Sequence, residues 1–448
     1  MSLGLAKLSG SFRAHVGALM AGSALSQIVL IVCMPIITRL YNPSEFAVLA
    51  LFQATVSLAV VLVTGSYELA IVVAETRQEA RRIACLALAL AVGAMAALTV
   101  GWMLAGSHAA RFALWCGMNE WVHWLPGAIL LVACISILAR WRQSRGEFAL
   151  ISRAELMGVV AATTVQVVAP RLVVDAGATH LLLGFLIGRG MVLTWMGIGV
   201  ASVWWPMRWR PQWREYAGVA RKHWRFPMFS LSSELLAVAN AELPKFLIQA
   251  YFTTHFLGVF SLCNRVLEKP VTFVTSSVSP VIYQHVAKQR GNGQLVRNLV
   301  FRTTGLLAAA VVLPATVLML VCPWLFETVF GEAWREAGLL ARWLIPVLAV
   351  RFVVIPTWTA LVALGKQHWV LLWNLSYLAV VSGVLTWAGT AGLTSLAIAA
   401  YTLANLVLLG LLLGLNLWAA HCAARSDGGT EPPPLLVASS AKQIRLVS

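Results

Sequence analysis

Charged residues are scarce in this sequence of 448 residues. Asp, Glu, Lys and Arg make up 11% of the chain, whereas about a quarter of the residues of a typical soluble domain are charged. A soluble protein of this length needs a charged surface, and this sequence does not contain enough charged residues to cover one. The shortage excludes an ordinary soluble enzyme or soluble binding domain.

Paired cysteines and nucleotide-binding motifs are also missing. The seven cysteines lie singly, with no C-x-x-C pair, so we interpret them as small hydrophobic residues and expect neither disulfides nor a zinc site. There is no G-x-x-x-x-G-K-[ST] loop, so no ATP-driven motor is expected in this chain. The nine histidines are scattered and form no catalytic constellation. We therefore expect no cofactor, no metal and no enzyme activity.

Long apolar runs dominate the sequence instead. Hydrophobic residues make up 60% of the chain and the mean hydropathy is +0.81. A membrane-spanning helix needs roughly 17–25 apolar residues and satisfies its own backbone hydrogen bonds in lipid. The first run is too long for a cleavable signal peptide. The pattern predicts an all-α polytopic membrane protein with about twelve transmembrane helices, at residues 16–38, 46–66, 83–105, 122–140, 154–176, 181–204, 226–251, 256–284, 300–325, 340–364, 369–388 and 393–418.

The basic residues are distributed unevenly between the two sides of the predicted helices. The net charge is +16, but the charges lie in short clusters rather than on one basic face, so no nucleic acid is expected as a partner. Twelve helices put both termini on one side. The connecting segments of that side hold 21 Lys and Arg residues, and those of the opposite side hold 4. By the positive-inside rule, both termini are predicted to be cytoplasmic.

A weak internal repetition divides the chain into halves. The segment RLYNPSEFAVLALF, which begins at Arg39, has a counterpart 210 residues later in QAYFTTHFLGVFSL, and Tyr41 aligns with Tyr251. Each segment ends the first predicted helix of its half and begins the second. We therefore predict two six-helix lobes related by a parallel pseudo-two-fold repeat. The predicted divisions are an N-terminal lobe at 1–210, a C-terminal lobe at 211–420 and a disordered cytoplasmic tail at 421–448.

Several cations lie inside the predicted spans. A charge at bilayer depth costs at least about 2.5–3.5 kcal/mol on insertion scales, so each one needs a partner or water. Their positions along the helices put them near the midplane or in the outer half, as expected around an aqueous central cavity. The candidate substrate-binding residues are Arg265, Lys269, Lys245, Arg189 and Arg351.

Arg265 and Lys269 are the most informative pair, because their i, i+4 spacing places two like charges on one helix face. Two explanations are open. Either Glu268 or Glu242 neutralises Arg265, or the two cations await an anion. A guanidinium group suits phosphate because it donates two parallel hydrogen bonds.

The candidate ion-coupling residues are the intramembrane acids Glu242, Glu268 and Glu234. Either these carboxylates only balance nearby cations, or one of them takes up a proton or a sodium ion. Burial raises a carboxyl pKa toward neutrality, as proton coupling requires. Glu242 is the first candidate.

Five segments of the sequence resemble one known family. The most distinctive combination is an R-L-Y-x-P-x-x-F turn followed by Y-E-L-A-I-V. The segments are ITRLYNPSEFAVLALF (Ile37–Phe52), SYELAIVVAETRQEA (Ser66–Ala80), WRFPMFSLSSELLAVANAELPKFLI (Trp224–Ile248), LGVFSLCNRVLEKP (Leu257–Pro270) and FGEAWREAG (Phe330–Gly338). In these segments the chain resembles the bacterial flippases for O-antigen and exopolysaccharide repeat units. Those flippases belong to the multidrug/oligosaccharidyl-lipid/polysaccharide exporter superfamily.

The resemblance implies a function. It implies two lobes that alternate in access and flip polyprenyl-diphosphate-linked oligosaccharides from the cytoplasmic to the periplasmic leaflet of the bacterial inner membrane. Cations of the central cavity would bind the diphosphate or acidic sugars. The implied partners are this lipid-linked oligosaccharide, a coupling H+ or Na+, membrane lipids and glycan polymerase or assembly proteins.

Three other functions stay open. A small-molecule antiporter of the multidrug type typically uses acids to hold cationic drugs, and the cations in these spans argue against it. A flippase for the peptidoglycan lipid precursor often has two more helices. A membrane enzyme or polymerase would need a catalytic outer loop, and none is visible in the sequence.

Overall fold

The computed structural model describes residues 24–105, 121–172, 177–199, 213–289 and 292–426. Within these ranges the chain forms helices joined by turns, and no strand is present. The all-α prediction is therefore confirmed. The helices are α1 (Ala24–Leu40), α2 (Pro43–Thr64), α3 (Arg77–Ala105), α4 (Leu125–Ser144), α5 (Phe148–Leu172), α6 (Ala178–Gly197), α7 (Trp213–Lys222), α8 (Leu231–Tyr251), α9 (Thr254–Lys288), α10 (Gly293–Phe330), α11 (Arg335–Ala363), α12 (Gln367–Thr390) and α13 (Thr394–Ser426).

Twelve of these helices correspond to the twelve predicted spans, and α7 is a short additional helix between α6 and α8. Nine helices of the described residues are long and apolar enough to cross a membrane. The other three are α1, which is shorter, and α8 and α9. Both α8 and α9 carry the charged residues predicted for the site, which lowers their hydropathy.

The helices run alternately in opposite directions between two ends of the molecule. We call the end that carries the arginine-rich connections the basic end, and the opposite end the far end. Two close approaches illustrate the alternation. Gly293, at the start of α10, lies against Ala423 near the end of α13 at the basic end, and Gly389 lies against Tyr251 at the far end.

Two helices of the first half pack closely through small residues. A Cβ atom on Gly158 of α5 would lie 2.9 Å from the carbonyl oxygen of Gly188 of α6, and one on Gly188 would lie 2.7 Å from the carbonyl oxygen of Gly158. Such small-residue contacts let helix backbones approach in membranes, where apolar burial gives little driving force between helices. The contact fixes the positions of Glu155, about one turn before Gly158, and of Arg189, next to Gly188.

The second helices of the two halves begin alike and pack against each other. Asn42 caps α2 by accepting a hydrogen bond from the backbone N–H of Glu45, and Thr253 caps α9 by accepting one from Phe256. Side-chain oxygens at this position satisfy N–H groups that have no partner within the helix. Both helices start at the far end and run toward the basic end, as a parallel repeat requires.

Several helices of the second half are longer than predicted. Helix α10 has 38 residues, against the 26 predicted at 300–325, and is about 57 Å long at 1.5 Å per residue. Its ends therefore continue beyond a hydrocarbon core of about 30 Å. Helix α13 continues to Ser426, eight residues beyond the predicted end of the last span at 418, and the division of the chain into two lobes and a tail stays a prediction. Residues 427–448, and the predicted division at 210, lie outside the described ranges.

Candidate functional site

A cavity of about 730 Å³ lies between helices of both halves. Helices α1, α2, α4, α5 and α6 contribute to its wall from the first half, and α8, α9, α11, α12 and α13 from the second. All five cations predicted as substrate-binding residues line this cavity. The structure thus brings together side chains that are up to 162 positions apart in the sequence. Their binding role stays a prediction.

Arg189 forms the cationic part of the wall from the first half. Its Nη1 atom lies 3.5 Å from Oε2 of Glu155, and its guanidinium lies 5.7 Å from the ring centroid of Phe185. A cation over an aromatic face gains electrostatic attraction from the ring quadrupole. Glu155 was not predicted as a site residue, because it lies at the end of a predicted span, where charged residues are common.

Two further cations of the second half are held by carboxylates. Lys245 donates from Nζ to Oε2 of Glu242 at 2.5 Å, and the pair flanks Pro244 within α8. Arg351 of α11 donates from Nη1 to Oε1 of Glu268 on α9 at 2.9 Å. Glu242 and Glu268, both predicted as ion-coupling residues, are therefore engaged by cations.

Arg265 and Lys269 are different from the other three cations. Arg265 donates from Nη2 to the side-chain oxygen of Gln53 at 2.7 Å, a neutral partner on α2. Within the described part of the chain, no carboxylate oxygen lies within 4 Å of the charged nitrogens of either residue. The explanation that Glu268 or Glu242 neutralises Arg265 is thus wrong: these carboxylates pair with Arg351 and Lys245 instead.

The cavity has an excess of positive charge. Its described lining contains five cations and three carboxylates, Glu155, Glu242 and Glu268, so two positive charges are left over. In a low-dielectric wall these charges attract anions more strongly than they would in water. The arrangement can hold a compact dianion beside Arg265 and Lys269.

An aromatic and amide wall adjoins the cations. Trp358 and Trp373 pack edge to face with ring centroids 6.4 Å apart, and Trp373 packs on Tyr377 at 5.2 Å. The indole N–H of Trp373 donates to the carbonyl oxygen of Leu408 at 3.1 Å, which fixes its ring. Nearby, the Asn240 amide donates to Oδ1 of Asn374 at 3.0 Å, and both asparagines line the cavity. This wall was not predicted from the sequence. Tryptophans are also common near the ends of membrane-spanning helices, where they lie at the membrane–water interface, so their presence did not indicate a cavity.

Glu234, the third predicted ion-coupling residue, does not line the cavity. It lies at the basic end, where its Oε2 atom accepts a hydrogen bond from the hydroxyl of Ser66 at 2.9 Å. The bond joins the first half of the chain to the second. The three predicted acids therefore occupy two different places in the fold.

The halves also meet at the far end, beyond the cavity. The indole N–H of the buried Trp334 donates to the carbonyl oxygen of Thr38 at 2.8 Å, and Arg39 donates to that of Thr328 at 3.0 Å. Phe46, which lines the cavity, packs edge to face on Trp334 with ring centroids 4.9 Å apart. These contacts close the far side of the cavity near Phe46.

The sequence pattern of one protein family, described as polysaccharide biosynthesis protein, matches residues 36–338 of this chain. The chain belongs to this family. A curated relative, the teichuronic acid biosynthesis protein TuaB of Bacillus subtilis (strain 168), is 27% identical over 150 residues, which are 33% of this chain and 31% of the relative. The chain thus aligns with about a third of the length of that relative.

Two solved structures share the fold of this polysaccharide biosynthesis family member. One is the lipid II flippase MurJ in an inward closed conformation, with a TM-score of 0.69 and 10% identity, covering 92% of this chain and 93% of that one. The other is an inward-facing multidrug resistance MATE family transporter of the MOP superfamily, with a TM-score of 0.62 and 13% identity, covering 89% and 96%. The chain is a multi-pass membrane protein with the fold of these transporters and flippases.

Proposed function

We propose that this protein flips polyprenyl-diphosphate-linked oligosaccharide repeat units from the cytoplasmic to the periplasmic leaflet of the bacterial inner membrane, by alternating access and without chemical conversion of the substrate. The observation that carries the proposal is the pair Arg265 and Lys269, which face the cavity without a carboxylate partner. The basic end is the cytoplasmic side in this proposal, with both termini there.

The chemistry of the cavity matches a diphosphate. Each phosphoryl oxygen accepts hydrogen bonds, and a guanidinium fork donates two in parallel. The five cations supply the donors, and the aromatic wall supplies flat apolar faces on which sugar rings can pack. An oligosaccharide joined to a diphosphate needs both kinds of surface in one cavity.

The excess positive charge argues against an antiporter for cationic drugs, since such a cargo would be repelled. A peptidoglycan lipid precursor also carries a diphosphate, and its flippase remains the nearest alternative. Transport is proposed to be coupled to a gradient of protons or sodium ions. Glycan polymerase or assembly proteins are proposed partners at the membrane.

A deletion strain tests the proposed substrate. We expect a lipid-linked oligosaccharide to accumulate in the extracted lipids while the surface glycan is lost. Intact surface glycan without accumulation would refute the proposal and direct attention to small-molecule transport, which a drug-susceptibility panel would then test. Loss of viability on depletion would favour the peptidoglycan precursor.

Complementation of the deletion strain with Arg265→Ala tests the site. A hydrogen bond to a charged group contributes about 1.5–3 kcal/mol, so we expect export of the glycan to fall by about tenfold or more. Arg302→Ala is the matched control, because Arg302 is an exposed residue of α10 that does not line the cavity. Normal export by a stably inserted Arg265→Ala variant would remove this residue from the substrate site.

A further inference from the structure

The junction between the halves at the basic end contains a strained residue. Ser66 has φ +55° and follows Gly65 at φ +59°, and it is the one described non-glycine residue with positive φ. The left-handed region is costly for residues other than glycine and persists only where surrounding contacts enforce it. Ser66 is 0% exposed. Its hydroxyl donates to Oε2 of Glu234 of α8 at 2.9 Å, so this residue joins the two halves across the junction.

A second carboxylate, that of Glu68, is buried two residues further along, in the short 3₁₀ helix Tyr67–Ile71. Glu68 is 6% exposed. Its Oε1 atom accepts a hydrogen bond from the Thr64 hydroxyl at 3.1 Å. Its Oε2 atom is buried and has no hydrogen-bond partner in the described part of the chain. A buried, unpartnered carboxylate oxygen is costly unless it carries a proton.

The charged groups that act on Glu68 come from two helices. Burial raises the pKa of Glu68 above its ordinary value, and the Glu234 carboxylate of α8 raises it further. The backbone amide of Glu68 itself, the Thr64 hydroxyl and the Arg140 guanidinium of α4 lower it. Burial is the largest of these effects. Like charges repel more strongly in a low dielectric than in water, so an ionised Glu234 adds to the cost of ionising Glu68.

These two acids differ from the acids of the cavity. Glu242 and Glu268 each have a cationic nitrogen within 2.9 Å. For Glu68 and Glu234, no cationic nitrogen of the described residues lies within 4 Å. A carboxylate balanced by a fixed cation stays ionised, whereas one without such a partner can exchange a proton during the cycle.

We propose that Glu68 and Glu234 form a pH-sensitive switch between the two halves at the basic end, with Glu68 Oε2 as the atom that is protonated when the halves meet there. The proposal rests on the proposed transport function and assigns a regulatory proton to it. A proton from water at the basic end adds to Glu68 when the junction closes and returns to the same water when the junction opens, so the proton sets the population of the closed junction and does not cross the membrane. Without that proton, the two carboxylates repel each other and favour separation of the halves.

A distance measurement tests this switch without a substrate. Spin labels are placed on cysteines at Gln78 of α3 and Gln284 of α9, exposed positions of opposite halves at the basic end, after the native cysteines are replaced. Pulsed electron paramagnetic resonance then gives the distance distribution at a series of pH values between about pH 5 and about pH 9, above the ordinary range of a carboxyl group. We expect the short-distance population to grow as pH falls, by at most about tenfold per pH unit for one linked proton.

Glu68→Gln cannot titrate, so we expect its distances to stay short at every pH. Glu75→Gln is the matched control, since Glu75 is an exposed acid of the same end outside the junction, and it should titrate like the wild type. Glu234→Gln gives a second test if Glu68→Gln does not fold: it removes the repulsion between the two acids, so we expect a weaker pH dependence, because burial still raises the pKa of Glu68. Wild-type distances that ignore pH, or that respond to sodium but not potassium chloride, would overturn the proposal. So would a Glu68→Gln variant that titrates normally. None of these results depends on the identity of the lipid.

Discussion

Gly258 of α9 lies at a position that has no room for a side chain. A Cβ atom at this position would lie 1.7 Å from the carbonyl oxygen of Pro43 at the start of α2. The contact is with backbone, which cannot turn aside as a flexible side chain can. This glycine therefore sets how closely the two halves approach at the far end.

Gly258→Ala is expected to destabilise the protein, because α9 must move away from α2 to admit the methyl group. Overpacking of this kind costs about 1–3 kcal/mol or more. Gly305→Ala on α10 is the control, since a Cβ atom there meets nothing within 4 Å, and alanine is the better helix former. Thermal unfolding in one detergent compares the two. An unfolding midpoint for Gly258→Ala at or above that of Gly305→Ala would contradict this account of the far-end junction.

At the scale of single residues, the sequence indicated which cations line the cavity but not the partner of Arg265. Pairing of Arg265 with Glu268 or Glu242 was one of two explanations left open by the sequence, yet its partner is Gln53, 212 positions away in the other half. A polar but uncharged side chain in an apolar helix, such as Gln53, does not show in the sequence that it will contact a charged residue of another helix. Pairing depends on how the halves face each other, which helical periodicity along one span does not contain.

At the scale of helices, Arg142 joins the end of α6 to α4. Its side chain is buried and donates to the carbonyl oxygens of Met196 at 2.8 Å and of Ile198 at 2.5 Å, while it also pairs with Glu147. The last carbonyl groups of a helix have no partner within the helix and carry partial negative charge. The Arg142 guanidinium donates hydrogen bonds to these carbonyl groups, and its positive charge offsets their partial negative charge.

Arg142→Ala is expected to lower stability by about 1.5–3 kcal/mol, because the carbonyl groups at the end of α6 lose their charged donor. Arg145→Ala should change stability by less than about 0.5 kcal/mol, since its ion pair with Glu147 lies nearer the surface. Unfolding midpoints of the two purified variants check the difference. Equal midpoints would mean that Arg142 contributes no more than a surface ion pair does.

Helix number was predictable because apolar runs of spanning length occur twelve times. The ends of the helices were harder to predict. Helix α9 begins at Thr254 and continues to Lys288, against a prediction of 256–284, because polar residues extend it past the apolar run. Hydropathy reports where lipid contact ends, whereas the hydrogen-bonded backbone continues until a cap or a turn stops it.

At the scale of the whole molecule, the uneven distribution of Lys and Arg predicts the orientation. Gln78 lies at the basic end and Glu336 at the far end, and both are exposed. In a variant without native cysteines, Glu336→Cys should react with a membrane-impermeant maleimide in intact spheroplasts. Gln78→Cys should react only after the membrane is opened. The reverse pattern would invert the proposed orientation.

The repeat was visible in the sequence as little more than Tyr41 and Tyr251. In the structure, Tyr41 directly follows α1 and Tyr251 is the last residue of α8, and both lie at the far end of the molecule. The repeat preserves helix direction and packing rather than side chains, so most positions could diverge. The assembly of a cavity between the halves was predictable from the depth of its cations, and its aromatic wall was not.

In the proposed cycle, the two surplus positive charges of the cavity lining make transport sensitive to voltage. Moving one elementary charge through 100 mV involves about 2.3 kcal/mol. A disubstituted diphosphate brings about two negative charges, one per phosphoryl group, which cancel the surplus during delivery. The empty cavity keeps its surplus, and a negative cytoplasm draws it inward. In the proposed cycle, the resting potential of the cell thus resets the empty carrier toward its loading side and barely opposes the outward step.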